Sequence, residues 1–134
     1  MWGALEHQRQ VQFYEEFQTG KQSHGEDWRP MVRAVQHLQS LGVAPRLYAF
    51  TSLWRFHLTT APTYQERVSH CSVTIIWRFP EQRFHIAFGR LADGWLEDRL
   101  PEQICEESAF ASAIEPYIER LLSSSPSAAD EGPD

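Results

Sequence analysis

Lysine occurs once in this chain, at Lys21, and cysteine twice, at Cys71 and Cys105. Each shortage excludes something. Two cysteines 34 positions apart form neither a disulfide framework nor a zinc-binding spacing. Besides Lys21 the basic residues are eleven arginines, outweighed by 18 acidic residues, for a net charge of −6. Half of that charge lies beyond Leu121, where Asp130, Glu131 and Asp134 meet no Lys or Arg. Phosphate contacts need clustered cations, so no nucleic-acid partner is expected. No apolar run approaches the roughly 20 residues that span a bilayer. The first residues also lack the basic and apolar stretches of a signal peptide. The expectation is therefore a cytoplasmic protein with reduced thiols and no membrane contact. The seven glycines are scattered, so no phosphate-cradling loop exists. No cofactor is expected.

Aromatic residues, by contrast, make up 13% of the 134 residues, with five tryptophans. That suits one well-filled core. Residues 1–122 read as a single domain and residues 123–134, small, polar and acidic, as a flexible tail.

The strongest pattern lies between Arg46 and Leu91. Side chains on a strand alternate between faces. Over residues 47–59 the even positions are Tyr48, Phe50, Ser52, Trp54, Phe56 and Leu58, opposed by Leu53, Arg55, His57 and Thr59. Over residues 68–79 the apolar set is Cys71, Val73, Ile75, Trp77 and Phe79, opposed by Val68, His70, Ser72, Thr74, Ile76 and Arg78. Over residues 83–91 Phe84, Ile86 and Phe88 oppose Arg83, His85 and Ala87. Three strands with one apolar face follow. Asp93-Gly94 is a hairpin signal that adds a short fourth strand over residues 95–100, with Arg90 opposite Glu97.

Helices flank this region. Residues 3–18 carry a fair apolar stripe through Leu5, Phe13, Tyr14 and Phe17. Met31, Val32, Val35, Leu38 and Leu41 recur at helical spacing after Asp27 and Pro30, a cap and a first-turn proline. Gly42 and Pro45 stop that helix, with Gly42 available for a left-handed cap. A last helical segment runs from about Pro101 to Ser124 on Phe110, Ile114, Tyr117, Ile118, Leu121 and Leu122, with a kink or short break at Pro116. The order α-α-β-β-β-β-α specifies an α+β two-layer sandwich: an antiparallel meander of three to four strands with helices on one face.

Chemistry-bearing residues fare poorly under the alternation. Cys71 and His70 are adjacent on a strand and face opposite ways, so they cannot pair as nucleophile and base. Cys105 beside Glu106 and Glu107 has a thiol whose ionisation is opposed. The cluster Ser23-His24-Gly25-Glu26-Asp27 reads as a capping loop. Rings and guanidiniums in Trp54-Arg55-Phe56 and Trp77-Arg78-Phe79 fall on opposite faces, which removes a single-strand nucleic-acid platform. No catalytic set survives.

What remains is the polar sheet face: Arg55, His57, His70, Thr74, Arg78, Arg83 and His85. A turn near Thr63 sets His57 opposite His70 and Arg55 opposite Ser72, with Cβ atoms roughly 4.5–5.5 Å apart. Arg78 faces His85 or Arg83. His85 lies too far along the sheet to complete a metal site, so no metal is expected. The functional expectation is a non-enzymatic interaction module. It uses this Arg/His face, or the fourth-strand edge, for self-association or a protein partner. The alternative is a small-molecule binder or small enzyme with a pocket lined by Trp54, Phe56, Trp77 and Phe84.

Overall fold

The alternating region does build a sheet, but of more strands than its pattern suggests. A computed structural model describes residues 2–19, 26–63, 65–92 and 95–124. Its elements are β1 (Trp2–Ala4), α1 (Arg9–Thr19), α2 (Arg29–Gln39), β2 (Tyr48–Ser52), β3 (Arg55–Thr59), β4 (Cys71–Arg78), β5 (Arg83–Ala92), β6 (Trp95–Cys105) and α3 (Phe110–Ser123). The six strands pair antiparallel in the order β1-β2-β3-β4-β5-β6. The class is α+β, as expected, with six strands in place of three to four.

Two differences account for the extra strands. Residues 47–59 are not one strand: the chain reverses at Leu53 and Trp54, so that Ser52 pairs with Arg55 and Phe50 with His57. Leu53 takes φ 56°, a left-handed conformation that costs an L-residue roughly 1–2 kcal/mol. With no Gly, Asn or Asp at the turn, the usual hairpin signal is missing. The expected helix over residues 3–18 also begins late, at Arg9, because Trp2–Ala4 pairs with the edge of β2. Gln10 on α1 holds that strand, its side-chain amide donating to the carbonyls of Gly3 and Ala4.

The helix ends show smaller differences. Pro30 lies in the first turn of α2, but the N-cap is Trp28 and not Asp27, whose carboxylate accepts the Arg29 backbone N–H from one residue further out. Ser40, not Gly42, terminates α2, and Gly42 stays out of the left-handed region. β6 runs through Pro101 to Cys105, where a last helix was expected; a proline missing its N–H is tolerated on an edge strand. α3 then runs from Phe110 through Pro116 without a break. Arg90 is opposite Glu97, as expected. The Asp93-Gly94 turn, most of the 19–25 loop and the tail from residue 125 lie outside the described residues.

One apolar face is covered by the helices. Phe56, Leu58, Val73, Ile75, Phe84, Ile86 and Phe88 are buried there in a single cluster with Tyr14, Met31, Val35, Leu38, Ile114 and Leu121. Ring contacts join the layers: Tyr14 to Phe56 at 6.2 Å and Phe84 to Phe110 at 4.6 Å. No helix among the described residues is long and apolar enough to cross a membrane.

Candidate functional site

The outer face of the sheet carries the residues singled out from the alternation, and the fold divides them into two groups. The hairpin at Leu53 inverts the parity of β2. Phe50 therefore lies beside His57 on the outer face, not with Phe56 and Leu58 inside. Its ring stacks on the His57 imidazole at 4.4 Å and 12°. The guanidinium of Arg67 sits 5.7 Å from the Phe50 ring centre. Arg67 belongs to a 3-10 turn, Arg67–Ser69, in the connection between β3 and β4. That connection folds back over the outer face against β5, leaving Ser72 only 4% exposed. Part of the polar face is thus roofed by the chain itself.

Beneath this roof His57 is bonded on both sides, through Nε2 to Ser52 Oγ at 2.8 Å and through Nδ1 to Thr74 Oγ1 at 2.9 Å. Burial lowers its pKa to about 4, with help from the charges of Arg55 and Arg67. A hydroxyl against an imidazole suggests nucleophile and base. Two features argue otherwise. So low a pKa makes a weak base at neutral pH. Thr74, where a carboxylate would be needed, cannot stabilise an imidazolium. The relay clamps β2, β3 and β4 together.

The expected opposition of His57 and His70 does not occur. The β3–β4 register is Phe56 to Ile75, so His57 faces Thr74, and Ser72 faces Thr59 in place of Arg55. The connection is longer than a simple turn at Thr63 because the 3-10 turn absorbs residues. His70 follows that turn and bonds through Nδ1 to Thr60 Oγ1 at 2.9 Å. Among the described residues no group of three or more His, Cys, Asp or Glu could hold a metal ion.

The second group lies at the opposite end of the face. His85 is held between Glu102 Oε1 at 2.6 Å and Glu81 Oε2 at 2.9 Å. Arg78 faces Arg83, as one of the two expected pairings had it. Arg83 is committed to Glu106 at 3.2 Å and to the carbonyls of Glu81 and Gln82. Arg55 and Arg78 are exposed, and neither has an ion-pair partner among the described residues. Ile104 pairs across from His85 and is 55% exposed. The β2–β3 turn opens at this same end, with Leu53 72% and Trp54 50% exposed. Strands spaced about 4.8 Å apart place β3 and β6 roughly 14 Å from each other. The tip is not slack: the buried Tyr14 hydroxyl donates to the Trp54 carbonyl at 3.0 Å. Burial pushes the Tyr14 pKa up, so the phenol keeps its proton.

The other residues considered are accounted for by the core. Cys71 and Cys105 are buried free thiols, and burial pushes the Cys105 thiol up. Phe56, Trp77 and Phe84 pack in the core while Trp54 sits on the tip, so these four do not line a common pocket. The one sequence cue to the hairpin was the parity break at Ser52 and Leu53, a polar residue in the apolar set followed by an apolar residue in the polar set. No family model, curated protein or solved structure matches this chain.

Proposed function

We propose that this chain is a protein-binding module, not an enzyme. Its contact surface is the open end of the outer sheet face: the Leu53-Trp54 tip with Arg55, Arg78 and Ile104. One observation carries the reading. Three large apolar side chains stand exposed at the end of the sheet where two arginines lack carboxylate partners among the described residues. Tryptophan and arginine are the residues that most often dominate binding energy. The occupant that fits is a partner segment combining apolar and acidic side chains. The β6 edge is a poorer candidate, since Pro101 has no backbone N–H to offer an added strand. Two buried free thiols suit a reducing, cytoplasmic setting.

Matched pull-downs test this, with the wild-type chain and a Trp54→Ala/Ile104→Asp variant as baits and a photo-crosslinker at position 55. The expected result is a partner crosslinked by the wild type and lost from the variant, while both show the same circular dichroism. Identical captures by the two baits, or no crosslinked partner, overturn the reading.

A further inference from the structure

A hollow lies on the opposite side of the molecule, between α3 and the C-terminal end of α2 with the connection that follows it. It is a groove of about 490 Å³ with Ile114 and Ile118 in its floor and Leu41, Val43 and Leu122 in its walls. A smaller hollow of about 150 Å³ shares His37 and Ala111 with it and continues to the ion pair of Arg33 and Glu107. Along α3, from Ala111 to Leu122, the groove is about 16 Å long at a rise of 1.5 Å per residue. That is the length of three helical turns.

The rim has one sign of charge. Glu115 and Glu119 border the groove, and no Lys or Arg lines it. Both are exposed and neither has an ion-pair partner among the described residues. Four residues apart on one helix face they repel each other, with no Lys or Arg lining the groove between them and α2.

We infer that this groove receives an amphipathic helix of another protein, with apolar side chains in the floor and Lys or Arg against Glu115 and Glu119. A helix laid in a groove anchors through apolar residues at i, i+3, i+4 and i+7. The chain's own sequence beyond Ser124 carries Asp130, Glu131 and Asp134 and no cation, so these carboxylates repel it. Two-fold packing with a second copy brings four carboxylates together. The Leu53-Trp54-Arg55 tip of a second copy has matching chemistry but spans far less than three turns. The inference concerns a different surface from the sheet-face reading and does not rest on it.

A display library of 16-residue amphipathic helices, with anchor positions kept apolar and the remaining positions randomised, tests it on the full-length chain. Enriched peptides are expected to carry net positive charge. By fluorescence anisotropy their affinity should fall at least tenfold toward Ser112→Arg, which fills the groove, and toward Glu115→Lys/Glu119→Lys. These positions are exposed, so the variants keep their fold, which thermal melts verify. Enrichment of neutral or acidic peptides, full binding by either variant, or no enrichment overturns the inference. So does a wild-type oligomer in light scattering that both Trp54→Ala and Ser112→Arg dissolve, for then the tip of a second copy fills the groove.

Discussion

His57 shows how one side chain sets a dependence on pH. Half-buried between Ser52 and Thr74, it has a pKa of about 4 against an ordinary 6.5. The unfolded chain therefore binds a proton at His57 at a higher pH than the native chain does. Stability from this residue is complete above pH 6.5, declines as the pH falls toward 4, and is level below that. At 1.36 kcal/mol per pKa unit the loss is about 3 kcal/mol. Urea unfolding at pH 7.5 and at pH 4.5 measures it. In His57→Gln the difference between the two pH values should shrink by about that amount. An equal difference in both proteins removes this account of the residue.

Among the elements, α3 contains an avoidable defect. Pro116 has no N–H for the carbonyl four residues earlier, and its ring crowds that turn. The helix persists because Phe110, Ile114, Tyr117, Ile118 and Leu121 bury its inner face. Packing thus outweighs local preference. Pro116→Ala should stabilise the protein by about 1–3 kcal/mol, read as a higher urea midpoint at unchanged slope. The β2–β3 hairpin follows the same logic on a smaller scale. Leu53 is held at positive φ by the pairing of β2 with β3 and by the Tyr14 bond to Trp54, not by any preference of its own.

The whole molecule separates what supports the fold from what stands outside it. Phe84 is fully buried between Trp77 and Phe110, so Phe84→Ala leaves a cavity and should cost about 3–5 kcal/mol. Trp54 is half exposed on the tip, and Trp54→Ala should cost under about 1 kcal/mol. Thermal unfolding of the two variants compares them directly. Equal losses mean that the tip belongs to the core and not to a contact surface.

The residues by themselves determined the α+β class, the inner faces of β4 and β5, the buried stripes of α2 and α3, and the pairing of Arg90 with Glu97. The class, faces and stripes depend on local periodicity, which side-chain direction imposes on any strand or helix, and the Arg90–Glu97 pairing on the tight turn that Asp93-Gly94 specifies. The tertiary structure alone decided that residues 47–59 fold back on themselves, that Phe50 turns outward, that His57 meets Thr74 and not His70, and that α2 and α3 leave a groove between them. A two-residue turn that lacks glycine leaves no local signal beyond the parity break at Ser52 and Leu53. Register and helix spacing depend on which distant surfaces bury each other best, and short-range pattern does not contain that information.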